Sequence, residues 1–287
     1  MGIKVLDCTL RDGAYIVNGK FGEERIAGII HTLRAAGVDI VECGWLRQEA
    51  HTKDNVFFNC PSDLKADSQS FALMLDYGKY DLDKLDLKSN IGIIRIAFYK
   101  EDLDKISFAA EKIKTKGYRV FLQASNTIDY NEKELEKLCK RANFVGADAI
   151  YIVDSFGSMF PEDLERLINT YDELIGQNIE IGFHSHNNIQ LSFALAIQFI
   201  NKLKDRNIIV DSSLCGIGRG AGNVQTELLL EYLKKQGEEY NTEIIWQGIE
   251  EYIEPLYKDY SWQYTPQKGF KGINKLHPNT ILNNYTI

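Results

Sequence analysis

Eight short apolar runs recur along the chain, spaced so that most pairs leave room for a helix between them. They are IKVLDC (3–8), VDIVEC (38–43), FALMLD (71–76), IGIIRIAF (91–98), YRVFLQA (118–124), DAIYIVD (148–154), EIGFH (180–184) and NIIVD (207–211). Runs this uniformly apolar suit strands covered on both faces, as in a parallel sheet wrapped by helices. The intervening segments carry helical periodicity. Ile26, Ile29, Ile30 and Leu33 stripe the segment 24–37, with Gly37 at its end, and 105–117 and 133–146 repeat that layout. Pro161 stands where a further helix begins. The second and third runs are joined more loosely, with 62–65 as a short helix. Eight such units predict an α/β fold, a closed (β/α)8 barrel. A doubly wound open sheet would be expected to carry a glycine-rich phosphate loop after its first strand. Here GIGRGAG (216–222) follows the last run instead.

The barrel is expected to occupy 1–230, with no boundary inside it. Residues 231–287 form a C-terminal extension, helical and then irregular, holding Trp246, Tyr252, Tyr257, Tyr260, Trp262, Tyr264 and Phe270. It is too apolar for a free tail. It is expected to pack on the barrel or on a second subunit, with a homodimer as the assembly. The net charge of −8 and the lack of a basic block argue against nucleic acid as a partner. Small anionic substrates stay open, because a local arginine or metal overrides a weak global field. The N-terminus turns charged too early for a secretion signal, and no apolar stretch is long enough to span a membrane, so a cytoplasmic protein is expected. The five cysteines form no CxxC pair, which argues against a disulfide scaffold or a structural zinc knuckle.

Barrels of this kind place their chemistry at the C-terminal strand ends. Those ends supply Arg11 and Asp12 after the first run and Glu42 at the end of the second. Gln123 and Asn126 follow from the fifth, Asp154 and Ser155 from the sixth, and His184, His186 and Asn187 from the seventh. Asp211 and Asn223 lie at or beyond the eighth. The i, i+2 spacing of His184 and His186 sends both rings to one face of an extended segment. Two imidazoles and a carboxylate are the usual protein share of an open divalent-metal site, and Asp12 is the natural third ligand. Mn²⁺, Mg²⁺, Co²⁺ and Zn²⁺ all fit that description. Asp154 and Asp211 are read as groups that fix a ring tautomer or the strand ends. Gly218 and Arg219 lie in the glycine loop, which either cradles a phosphate or lets the chain pass tightly over the substrate.

DCTLRDG (7–13), VECG (41–44), DSFG (154–157), FHSHNN (183–188) and GIGRGAGN (216–223) occur in the order seen in the DRE-TIM metallolyases, which the chain resembles over 1–230. Within that family it looks closest to 4-hydroxy-2-oxovalerate aldolases and HMG-CoA lyase-like catalytic domains. The resemblance implies a TIM barrel whose one divalent metal is held by Asp12, His184 and His186. It adds Asn223 as a ligand or a nearby hydrogen-bonding group. It makes Arg11 the active-site arginine and Glu42 an acid that orders Arg11 or the substrate. Tyr15 departs from the pattern, since related aldolases often carry an acid–base histidine there; it is either a proton donor or a rim aromatic. The implied activity is a metal-dependent carbon–carbon lyase, an aldolase making or breaking a 4-hydroxy-2-oxoacid through a pyruvate enolate, with a small 2-oxoacid and an aldehyde as substrates. Two alternatives are an acyl-CoA-dependent synthase or lyase, and a non-catalytic metal-binding or assembly module. The segment with which bacterial aldolases dock an aldehyde dehydrogenase has no clear counterpart in 231–287, which puts that partner in doubt.

Overall fold

A computed structural model describes residues 2–65, 68–87 and 91–282. Nine parallel strands form one sheet: β1 (Ile3–Asp7), β2 (Ile40–Leu46), β3 (Phe57–Phe58), β4 (Ser68–Asp76), β5 (Ile91–Phe98), β6 (Arg119–Ala124), β7 (Ala149–Asp154), β8 (Glu180–Ser185) and β9 (Ile208–Ser212). β1 pairs with β9 along its whole length and with β2 through Leu6–Ile40 and Asp7–Val41, which closes an eight-stranded barrel. The two-residue β3 pairs only with the end of β2 and stands outside that ring.

The outer faces of the strands pack against the helices. The inner faces hold a separate apolar layer that includes Leu6, Ile40, Ala72, Ile93, Phe121, Ala149, Tyr151 and Ile209. Side chains alternate along a strand, so the next inward position lies two residues on. That rule sets Glu42 above Ile40, Arg95 above Ile93, Gln123 above Phe121 and Asp211 above Ile209. An apolar floor thus lies toward the N-terminal ends of the strands, and a polar layer lies above it toward the mouth.

The helices form for legible reasons. α4 (Glu132–Val145) opens on a reciprocal cap: Asn131 Oδ1 accepts the Glu134 N–H at 3.0 Å, and Glu134 accepts the Asn131 N–H at 2.9 Å. It ends on Gly146 at φ +57°. α5 (Pro161–Leu174) begins on its proline, whose missing N–H costs nothing there. The helix expected over 24–37 is α2 (Glu23–Ala35), and α3 (Ile106–Thr115) and α6 (Ser192–Lys202) fill later crossovers.

The structure corrects the sequence expectation in three places. Residues 9–17 form an additional helix, α1 (Thr9–Val17), so Arg11 and Asp12 lie in a helical first turn. β2 runs on to Leu46, which leaves Glu42 inside the strand and not at its end. The crossovers from β2 to β4 and from β4 to β5 contain no α-helix among the described residues, only the 3₁₀ turns Pro61–Asp63 and Leu82–Lys84. No helix among the described residues is long and apolar enough to cross a membrane.

After β9 the chain forms α7 (Thr226–Lys235), α8 (Thr242–Gly248) and α9 (Pro266–Ile273). Trp262 is fully buried, donates its indole N–H to the Cys215 carbonyl at 2.9 Å, and stacks on Tyr257. The stretch before α9 is thereby tied to the loop that follows β9.

Candidate active site

The strand ends and α1 converge on buried Asp12, His184 and His186, whose potential ligand atoms all lie within 4.8 Å of one another. α1 brings Asp12 from the β1 end; β8 and the residue after it bring the two histidines. His184 Nδ1 lies 2.9 Å from Asp211 Oδ2. Asp211 accepts that ring N–H as a carboxylate, leaving the Nε2 lone pair free to ligate. His186 Nδ1 lies 3.3 Å from the Gly222 carbonyl. Burial pushes His186 down to about 3, so its ring is neutral at physiological pH, the form that binds metals. Burial also opposes the charge on Asp12, but neighbouring cationic groups, Arg11 foremost, outweigh it and hold the carboxyl well below the usual range.

A buried charge network joins two of these three residues through the barrel interior. Arg11 donates to Asp12 Oδ1 and to Glu42 Oε2, each at 2.7 Å. Arg95 donates to the same Glu42 oxygen at 2.7 Å and to Asp211, which returns to His184. Three carboxylates and two guanidiniums, all buried, leave this network one net negative charge. A divalent cation reverses that excess, which favours occupancy.

Asn223 offers a second test of fit. Its amide N–H donates to Asp12 Oδ2 at 2.7 Å and to the Ile217 carbonyl at 3.1 Å. Its Oδ1 is buried and has no hydrogen-bond partner among the described residues. A buried acceptor without a donor is an uncompensated cost. A cation beside Asp12, His184 and His186 would relieve it, so these residues fit a divalent metal.

Above this set opens a cavity of about 790 Å³, lined by Arg11, Asp12, His184 and His186 together with Tyr15, Gln123, Asn126, Ser155 and Arg219. Gln123 turns its amide oxygen toward Arg95, 3.3 Å from Nε. Asn126 adopts a left-handed conformation, takes the Ser155 hydroxyl as acceptor for its N–H at 2.9 Å, and keeps a buried Oδ1 without a partner among the described residues. Tyr15 is half-exposed, meets Trp45 edge-on at 5.8 Å, and lies 5.2 Å from the Arg219 guanidinium. Burial raises its phenol above the ordinary value, so it is a proton donor at neutral pH.

Other expected residues lie behind or beside the cavity. Glu42 sits behind Arg11 and touches the cavity only through it. Asp154 accepts the Ser158 and Met159 N–H groups at 2.9 and 3.0 Å and fixes the turn after β7; burial lifts it to about 6. Asn187 accepts the Ser192 N–H at the start of α6, and its neighbour Asn188 takes the place at the wall. Gly218 packs so closely on Asp12 and the Asn223 amide that a Cβ would collide with both, which gives the glycine loop a close-approach role. Arg95 and Asn188 escaped sequence reasoning. The one signal for Arg95 was a lone charge inside the apolar run IGIIRIAF.

A parallel barrel with a buried Asp–His–His set at its mouth, joined to an arginine, fits a metal-dependent enzyme, and its family and relatives make it a carbon–carbon lyase or aldolase. The chain belongs to the HMGL-like family, whose model matches residues 89–252. It is 30% identical to a 4-hydroxy-2-oxovalerate aldolase of Carboxydothermus hydrogenoformans over 88% of this chain and 77% of that protein. It is 29% identical to an oxaloacetate decarboxylase of Mycobacterium tuberculosis over 81% of this chain and 70% of that one. Among solved structures, the N-terminal domain of a candidate aldolase from Bacteroides vulgatus superposes with a TM-score of 0.82 at 27% identity, covering 96% of this chain and 94% of that one.

Proposed function

We propose that the protein makes or breaks the C3–C4 bond of a 4-hydroxy-2-oxoacid, with pyruvate as the enolate-forming half and an aldehyde as the other product. The supporting observation is the 2.7 Å bond from Arg11 to Asp12, which sets a guanidinium against the Asp12–His184–His186 set at the cavity floor. The names of two relatives point the same way. Aldol cleavage of 4-hydroxy-2-oxovalerate and decarboxylation of oxaloacetate both break a C3–C4 bond and leave the enolate of pyruvate.

In this reading Asp12, His184 and His186 hold the metal, with Asn223 Oδ1 as a further ligand or neighbour. A bound divalent ion supplies Lewis acidity to the carboxylate and carbonyl oxygens of the 2-oxoacid. Arg11 donates to the oxygen on which negative charge develops, and its Nη2 has no protein partner among the described residues for that purpose. Glu42 and Arg95 fix the Arg11 plane and do not touch substrate. In the condensation direction the Tyr15 hydroxyl gives its proton to the new C4 alkoxide, and cleavage runs the same transfer in reverse. Gln123, Asn126 and Ser155 line the wall that meets the substrate. The division into a barrel at 1–230 and an extension at 231–287 belongs to the same proposal.

The test combines metal content with pyruvate chemistry. The protein should bind one Mn²⁺, Co²⁺, Zn²⁺ or Mg²⁺ per chain, exchange the C3 protons of pyruvate with solvent deuterium, and release pyruvate from members of a 4-hydroxy-2-oxoacid panel. Loaded protein that exchanges no pyruvate protons with any of the four metals would overturn the reading.

A further inference from the structure

The lining of the cavity is electropositive in a chain whose net charge is −8. Among the described residues Arg11, Arg47, Lys79, Arg219, Lys268 and Lys271 line it, against the acids Asp12 and Asp76. Asp76 pairs with Lys79 at 3.1 Å, and Asp12 is taken by Arg11. Arg47 leans toward Glu49 at 3.6 Å. Arg219, Lys268 and Lys271 have no carboxylate partner among the described residues. Lys268 donates to the Gln263 carbonyl at 2.7 Å and Lys271 to the Pro278 carbonyl at 2.6 Å, neutral acceptors that leave both charges uncompensated. Arg219 donates to the Ser155 carbonyl at 3.3 Å, and its Nε is buried without a partner among the described residues.

These cations repel one another. Burial and then Lys271 pull the Lys268 amine below its ordinary value. Burial, Arg219 and Lys271 do the same to His277, which lines the same wall. The cluster is held in place all the same. Gly272 of α9 rests on the Gly157 carbonyl of the loop after β7, while Trp262 ties the preceding stretch to the loop after β9. Cations fixed together at a cavity wall with no carboxylate paired to their side chains among the described residues are a standing cost that a bound anion removes. The space also exceeds what a short oxoacid needs. At roughly 30 Å³ per water-sized group, about 790 Å³ holds on the order of 25 non-hydrogen atoms, nearly three times a five-carbon hydroxy-oxoacid.

We propose that the wall formed by Arg219, Lys268, Lys271 and His277 is a subsite for an anionic group, carboxylate or phosphate, at the far end of the aldehyde-derived half of the substrate. The proposal rests on the aldolase reading for the identity of the other half. The natural aldehyde is then one with an acidic tail, and a simple alkyl aldehyde is a poor substitute.

The test compares kcat/KM of the Mn²⁺-loaded protein for 4-hydroxy-2-oxoacids whose chains end in methyl, carboxylate or phosphate, in wild type and in a Lys268→Gln/Lys271→Gln variant. Calorimetry on both proteins measures binding of succinate and of inorganic phosphate. Wild type should favour an anion-ended substrate over the methyl-ended one by on the order of tenfold or more, the worth of one charge-assisted hydrogen bond. The variant should lose most of that preference, chiefly through KM, and the better of the two anionic arms names the group. Equal use of all three substrates by wild type, or a proportional loss for all three in the variant, would overturn the subsite. If no oxoacid is cleaved, the aldolase reading fails and calorimetry decides the subsite alone. Succinate or phosphate bound severalfold more weakly by the variant supports it; equal binding, or none at millimolar concentration, removes it.

Discussion

Arg11 shows most clearly what a single residue does here and how far its sequence betrays it. Its Nε and Nη1 are committed to Glu42 and Asp12, a planar fork spanning two carboxylates. A lysine offers one point charge and cannot bridge both. Arg11→Lys should therefore retain the metal site, because Asp12, His184 and His186 are untouched. Its rate of pyruvate proton exchange should fall by on the order of 10²–10³, the usual cost of losing an oxyanion donor. Metal titration beside deuterium exchange followed by NMR checks this; exchange at the wild-type rate would remove Arg11 from oxyanion stabilisation. Alanine is a poorer probe, because it leaves the buried Asp12 without its guanidinium partner, while Glu42 keeps Arg95, and breaking a buried pair this way costs about 3–5 kcal/mol. Asp12, His184 and His186 were legible because their spacing repeats the chemistry of a metal site. Arg95 was not, since its meaning comes from Glu42 and Asp211 on strands distant in sequence.

At the scale of elements, the strands were legible because their burial on both faces leaves nearly unbroken apolar runs. α1 was not, because Arg11, Asp12 and Gly13 interrupt any apolar stripe although all three are buried. The same crowding gives the loop 216–223 its role. Gly218 passes against Asp12 and Asn223 with no room for a Cβ, and its φ is ordinary, so the demand is purely steric. Gly218→Ala must push either the metal-ligating carboxylate or the Asn223 amide aside. The expected outcome is a folded barrel with a far-ultraviolet spectrum like wild type, metal affinity lowered by on the order of 10–100-fold, and lyase activity lost in step. Wild-type affinity in this variant would show that the loop yields and that its closeness does not position the ligands.

Over the whole molecule, the part least legible in the sequence is the stretch after β9, where aromatic content marked burial but could not say against what. In the structure, Trp262 meets the loop that carries Cys215, and Glu227 of α7 grips the same loop by accepting the Cys215 N–H at 3.0 Å. That grip has a pH signature. Burial raises the Glu227 carboxyl from 4.5 to about 7, against the backbone hydrogen bonds that favour its charge. A carboxyl with a higher pKa folded than unfolded binds its proton more tightly in the native state. Its contribution to stability is complete below pH 4.5 and is lost as the pH rises through 7. Glu227→Gln keeps an acceptor for the Cys215 N–H and cannot ionise. Denaturant unfolding of the two proteins between pH 4.5 and 8 should therefore diverge, wild type losing up to about 3 kcal/mol relative to the variant as the pH rises. Other titrating groups act equally on both proteins and cancel in the difference. Parallel stability curves across that range would show that Glu227 is ionised in the folded protein at all these pH values, and that the loop is held by a charged acceptor.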